Sequence, residues 1–165
     1  MEKPLAYLIT FTTYGTWLHG DKRASVNDEH NRVGEPFVAC NPNLNSKEQT
    51  LLKNQTIKLD ENLRNIILKS ILEVCKYRDW FAHSVHVRSN HVHIVATGDE
   101  KPEKMMVDFK SYATRAIKKN GIEFEKYWTK HGSTKYLWTK EQLQIAIEYV
   151  KNGQGKMMSY GASEP

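Results

Sequence analysis

The sequence predicts an α+β fold with helices packed on an antiparallel sheet, and three observations predict it. A β-like segment opens the chain, three later stretches carry apolar residues at helical spacing, and two pairs of short β-like segments lie between them, in the order β, α, ββ, α, ββ, α. The 165 residues suffice for one hydrophobic core and are few for two, so 1–165 is expected to be a single domain.

Leu5 to Thr13 (LAYLITFTT) is rich in aromatic and β-branched residues and stops at Tyr14-Gly15, the pattern of a central strand. From Gly20 to Thr56 periodicity gives way to Gly, Asp, Asn, Pro and charge; a loop this long is either functional or mobile. Asp60 is placed to cap a helix through Tyr77, because Leu63, Ile66, Ile67, Ile71, Val74 and Cys75 form one apolar stripe. Phe81 to Val87 and His91 to Thr97 read as an antiparallel hairpin turned by Arg88-Ser89-Asn90.

Pro102 suits the first turn of a second helix, whose stripe includes Met105, Met106, Phe109, Tyr112, Ala113, Ala116 and Ile117 and which stops at Asn120-Gly121. Tyr127 to Lys130 and Lys135 to Trp138, joined by His131-Gly132-Ser133-Thr134, read as a second short hairpin. Thr139 and Gln142 make a capping box for a third helix with Leu143, Ala146, Ile147 and Val150 inward, ending near Gly153. The tail after about residue 156 has no strong pattern and is expected to be partly disordered.

Lys and Arg number 24 against 19 Asp and Glu, a formal charge of +5, which suits a polyanionic partner without requiring one. Cys40 and Cys75 lie far apart with no CxxC spacing, so neither a disulfide framework nor a cysteine zinc site is indicated and a reducing cytoplasm fits. The start of the chain has no signal-peptide core, and no apolar run approaches the roughly 20 residues a membrane span needs; membrane and secreted classes are set aside.

Two residues apart on a strand, His91 and His93 share a face, while Val92, Ile94 and Ala96 take the other. Such a pair is compatible with a solvent-facing or hydrogen-bonded couple, or with a two-ligand platform for a divalent ion that draws a third ligand from elsewhere. The zinc-hydrolase pattern HxHxDH needs Asp where Val95 stands. His83 and His86, three apart, are expected on opposite faces, so at most one could join the pair, and each is read as structural.

Most of the eight tyrosines read as core or surface aromatics. Tyr149 differs: on the third helix it falls about 110° from the centre of the apolar stripe, on a shoulder from which it can lean toward a site at the sheet. A phenol attacks only an electrophile that a metal or base has activated. Beyond it, in Val150-Lys151-Asn152-Gly153-Gln154-Gly155, Gln154 offers a neutral oxygen ligand, and the glycines also read as an ordinary helix stop. From Lys101 to Lys140, ten Lys and Arg face four acids, interleaved with aromatics. Lys110, Tyr112, Arg115, Lys118, Lys135 and Trp138 are the candidates for contacting phosphates and stacking unpaired bases; a solvated helix face beside core aromatics is the alternative.

Val87-Arg88-Ser89-Asn90-His91-Val92-His93-Ile94-Val95, Asp108 to Arg115 (DFKSYATR), His131 to Trp138 (HGSTKYLW) and Tyr149 to Gly155 (YVKNGQG), with the opening Phe11 to Gly20, resemble the single-tyrosine HUH transposases, especially their REP-associated members. The resemblance implies an RNA-recognition-like sheet and single-stranded DNA nicking and strand transfer at hairpin-marked sites. By it, His91 and His93 bind Mg²⁺ or Mn²⁺ and Tyr149 forms a 5′-phosphotyrosine link. Many relatives carry a third ligand, Gln, four residues after the Tyr; here Gly153 stands there and Gln154 follows, a ligand only if the helix opens at Asn152-Gly153. The other readings are a hairpin-DNA-binding protein of the same fold with weak or no catalysis, and a metallohydrolase acting through bound water. The expected setting is a bacterial cytoplasm, near the nucleoid, with single-stranded or hairpin DNA as partner. A homodimer with exchanged tyrosine helices is left open.

Overall fold

The computed structural model describes residues 2–16 and 56–165. Most of the long predicted loop, with Cys40, and Trp17-Leu18-His19-Gly20 before it lie outside the described residues. In chain order the elements are β1 (Ala6–Thr13), α1 (Glu61–Tyr77), β2 (Phe81–Val87), β3 (His91–Thr97), α2 (Pro102–Lys119), β4 (Trp128–Leu137), α3 (Lys140–Asn152) and β5 (Ser159–Gly161). The strands form one antiparallel sheet in the order β4-β1-β3-β2-β5, so β1 and β3 are interior, as the apolar start of the chain predicts.

Alternation along the strands divides the two faces. Tyr7, Ile9 and Phe11 of β1 and Val92, Ile94 and Ala96 of β3 point to one side, where they meet Leu63, Ile67, Ile71 and Val74 of α1 and Met105, Phe109, Ala113 and Ile117 of α2. On the other side Ala6, Val95 and Leu137 meet Ala146 and Val150 of α3. The second core is small, so α3 covers part of its face and leaves polar residues of β1 and β3 beside it. Asp60 caps α1 through the Leu63 N–H at 2.8 Å, and the predicted capping box of Thr139 and Gln142 starts α3.

Two expectations are corrected. Residues 128–137 make one edge strand, not a hairpin. The predicted turn carries a glycine for another reason: Gly132 lies opposite Phe11, and a Cβ there would stand 2.3 Å from the Thr10 carbonyl oxygen and 2.8 Å from Met106 Sδ. The glycine permits close packing. The tail is the second correction, because Ser159–Gly161 pairs with β2, and the Ser163 N–H donates to the Ala82 carbonyl at 2.8 Å. That three-residue strand is too short to show a period, and its pairing partner is remote in sequence. No helix among the described residues is long and apolar enough to cross a membrane.

Gly132→Ala is expected to destabilise the fold by about 2–3 kcal/mol, because neither the Thr10 backbone nor β1 can withdraw without disturbing the β1–β3 ladder. Urea unfolding measures this, and a loss below about 0.5 kcal/mol would contradict the close-packing role.

Candidate active site

β3 hydrogen-bonds to β1 on one side and β2 on the other, and this register surrounds the histidine pair. His91 stands opposite Thr12, and His93 opposite Thr10 on β1 and His86 on β2. The two imidazoles of the pair sit edge to face, with ring centroids 4.7 Å apart. His91 Nδ1 lies 2.6 Å from Asn90 Oδ1, an oxygen that only accepts, so Nδ1 carries a proton and is the donor. His93 is 5% exposed, with Nδ1 2.7 Å from Thr10 Oγ1 and Nε2 3.1 Å from Gln154 Oε1. Burial first, and then the neighbouring His91, push its pKa down to about 3, so the ring is neutral throughout the physiological range.

α3 delivers the other two candidates. Val150 is fully buried against the sheet, which leaves Tyr149 on the shoulder of the helix, 47% exposed, with its ring edge-on to His93 at a centroid distance of 5.7 Å. The helix ends at Asn152 with Gly153 as its C-cap, and Gly155 turns at φ +81°. Freed from the helix, Gln154 folds back to His93. His91, Tyr149 and Gln154 thus each lie beside His93 within one chain.

Three donors can serve a divalent ion here: the imidazoles of His91 and His93 and the amide oxygen of Gln154. His93 Nε2 and Gln154 Oε1, 3.1 Å apart, are close enough together that both would serve one ion. Thr10 completes the fit, because its hydroxyl can donate to Nδ1 or accept from it and so supports either tautomer of His93. The amide oxygen suits Mg²⁺ or Mn²⁺, whereas the two imidazoles suit first-row transition ions in general, so the donor set admits a divalent ion without selecting one.

Sequence reasoning missed two neighbours and read a third, His86, as structural. Thr10 is visible only as a polar position in the alternation of β1. Asn90 was read as a turn residue. His86 is fully buried, with Nδ1 2.8 Å from the Val150 carbonyl and Nε2 2.9 Å from the Met158 N–H. Burial holds its pKa below the usual histidine value, against the opposing effect of the Val150 carbonyl. A β-bulge between Ala82 and Ser84 interrupts the alternation that separated His83 from His86, and His83 bonds instead to Thr97 Oγ1 at 2.8 Å.

The predicted nucleic-acid residues do not form one surface. Lys135 lies opposite Leu8, on the side of the sheet that carries the histidines. Trp138, 48% exposed, stacks on Tyr136 at 6.0 Å just before α3 begins. Tyr112, Arg115 and Lys118 belong to α2, across the sheet; the Arg115 guanidinium covers the Tyr112 ring at 4.4 Å, and Lys118 lies over Tyr127 at 5.8 Å.

A family model described as "Transposase IS200 like" matches residues 49–152 of this chain. Among solved structures, a REP-associated tyrosine transposase bound to a REP hairpin is similar at a TM-score of 0.51 and 12% identity, over 92% of this chain and 67% of that one. The likeness extends to the fold. No curated protein matches.

Lys110 stands apart from the other basic candidates. The β1–β4 register shifts between Phe11 and Thr13, and Lys110 Nζ donates into this irregular stretch, to the carbonyls of Thr129 at 2.9 Å and His131 at 3.3 Å. Burial lowers its pKa from 10.5 to about 8, so between those values the unfolded chain binds more protons than the folded one and the Lys110 contribution to stability rises with pH. Cys75, pushed up to about 12 by burial, opposes this above pH 9, so the contribution is read as a difference between proteins. Stability of the wild type relative to Lys110→Met is expected to rise by an amount of order 1–3 kcal/mol from pH 8 to 10.5, measured by chemical unfolding. A flat difference would show that the ammonium is not desolvated.

Proposed function

Because this chain belongs to the IS200-like transposase family, we propose that it nicks single-stranded DNA at hairpin-marked sites and transfers the cut strand through a 5′-phosphotyrosine intermediate on Tyr149. The observation that carries this reading is the convergence of Tyr149 and Gln154 on His93, at 5.7 Å between rings and 3.1 Å between polar atoms. The fold neighbour bound to a REP hairpin motivates the choice of a hairpin substrate.

His91, His93 and Gln154 would hold Mg²⁺ or Mn²⁺. Bound there, the ion supplies charge neutralisation and orientation for the scissile phosphate. Tyr149 Oη attacks the phosphorus, an O–P bond forms, the P–O3′ bond breaks, and the leaving oxygen takes a proton to become a 3′-hydroxyl. Strand transfer reverses the exchange with a new 3′-hydroxyl, so the energy of the phosphodiester is retained in the tyrosyl link. The half-exposed position of Tyr149 lets a strand reach it, while the buried His93 stays fixed. Lys135, on the same side of the sheet, is suited to the phosphates, and Trp138 to an unpaired base. Tyr112, Arg115 and Lys118 would bind DNA that passes around to the α2 side.

Incubation with labelled hairpin DNA and Mn²⁺ is expected to yield a covalent protein–DNA adduct, abolished by EDTA and by Tyr149→Phe. Adduct formation in His91→Ala and His93→Ala should fall by at least about 100-fold, and Gln154→Ala should raise the Mn²⁺ needed for half-maximal adduct by about tenfold. Salt-sensitive hairpin binding with no adduct would replace this reading with that of a binding protein. Turnover that survives Tyr149→Phe would replace it with a water-using hydrolase.

A further inference from the structure

β2 supplies no residue to the proposed chemistry, yet Ser84 and His86 on one of its faces, and Arg88 just after it, reach α3 and the chain returning from it, Ser84 also donating to Tyr160 Oη at 3.1 Å. Ser84 Oγ lies 3.4 Å from the Ile147 carbonyl, His86 Nδ1 2.8 Å from the Val150 carbonyl, and His86 Nε2 2.9 Å from the Met158 N–H, while Arg88 Nη1 donates to the Lys156 carbonyl. Between the two contacts of His86 runs the stretch that contains Gln154, and Tyr149 immediately precedes it.

We propose that His86 is a positioning residue for the transposase site: its two ring nitrogens clamp the chain at Val150 and at Met158 and thereby hold Gln154 against His93. This rests on the reading of Gln154 as a metal ligand given above. The chemistry of the ring fixes its tautomer. A backbone N–H only donates, so Nε2 accepts from Met158, and Nδ1–H donates to the Val150 carbonyl. Only a neutral imidazole does both, and the complete burial of His86 favours that form.

A histidine needed only for packing would be replaced by any residue of similar shape. A clamp would not, because Val150 and Met158 are both main-chain contacts that an apolar ring cannot make. Gln154 reaches His93 from the turn after α3, where its side-chain amide donates to the Tyr149 carbonyl at 3.4 Å; beyond that bond, the two ends of the stretch from Val150 to Met158 set its position. Losing a group hydrogen-bonded directly to a metal ligand costs about 10–100-fold in affinity, and His86, which acts through the main chain at Val150 and Met158, is expected at the lower end.

Three measurements on the full chain test the clamp: amide hydrogen exchange of the free protein, Mn²⁺ binding by electron paramagnetic resonance without DNA, and hairpin binding without metal. In His86→Phe the Met158 amide is expected to lose its protection and the Mn²⁺ dissociation constant to rise about tenfold, with hairpin affinity unchanged. In a Gln154→Ala background His86→Phe should add nothing further, because the ligand it positions is gone. Unchanged Mn²⁺ affinity in a folded His86→Phe would overturn the proposal, as would multiplicative losses in the double variant.

If His86→Phe does not fold, His86→Gln and His86→Asn carry the test. A glutamine oxygen can stand in for Nε2 and keep the Met158 amide protected with near-normal Mn²⁺ affinity; asparagine reaches only toward Val150 and should lose both. Equal behaviour of the two would overturn the clamp. A wild type that binds no Mn²⁺ would remove the underlying metal reading, a result distinct from a wild type that binds Mn²⁺ normally and a variant that does too.

Discussion

A histidine in the middle of a sheet gives up nearly all its hydration, and His93 does so between Thr10 Oγ1 at 2.7 Å and Gln154 Oε1 at 3.1 Å. Leaving either ring nitrogen buried and unpaired would cost about 1–3 kcal/mol. The two partners come from different places: Thr10 from the register of β1 on β3, Gln154 from the coil after α3. A one-residue slip of β1 would turn Thr10 to the opposite face and bring Ile9 or Phe11 against the imidazole. The same strand alternation that fills the core with Val92, Ile94 and Ala96 therefore also orients a neutral ring toward the tyrosine.

Much of this was legible because it is local. The α1 cap at Asp60, the Thr139–Gln142 box, the hairpin around residues 88–90 and the face shared by His91 and His93 each depend on residues within a few positions of one another, and each is found where the pattern places it. What was not legible depends on distant contacts. Gly132 looked like a turn because its reason, the Thr10 carbonyl and Met106, lies elsewhere in the chain. β5 is too short to show a period. The bulge near His83 alters the parity of a strand without any glycine to signal it. Thr10 and His86 look ordinary until the sheet brings them beside His93.

The basic segment from Lys101 to Lys140 shows how a correct count can misrepresent a surface. Ten cations lie within 40 residues, but the sheet runs through the segment: α2 occupies one side and part of β4 the other. Lys110 then leaves the set of exposed charges because its ammonium holds the irregular part of β4. Charge close in sequence becomes one field only when the fold keeps it on one face. Here Lys135 stands on the side of the sheet that carries the histidines and Arg115 and Lys118 stand on the other, so they do not add up to one field.

The position of Gln154 also bears on how the chain tolerates its spacing. In an uninterrupted helix a residue four positions after Tyr149 lies about 40° around the axis from it, whereas the fifth lies about 140° away, one turn beyond Val150 on the apolar stripe and off the shoulder that Tyr149 occupies. Ending α3 at Asn152 removes that rotation, and Gly153 then passes close under the tyrosine, where a Cβ would lie 2.8 Å from the Tyr149 carbonyl oxygen and 3.0 Å from its ring. The offset of one residue is absorbed by the end of the helix. Absorbing it this way replaces helical hydrogen bonds with coil, and coil needs restraint from outside itself. That restraint falls to His86 of β2 and Arg88 just after it, which reach the main chain at Val150, Met158 and Lys156 although β2 carries no candidate catalytic residue.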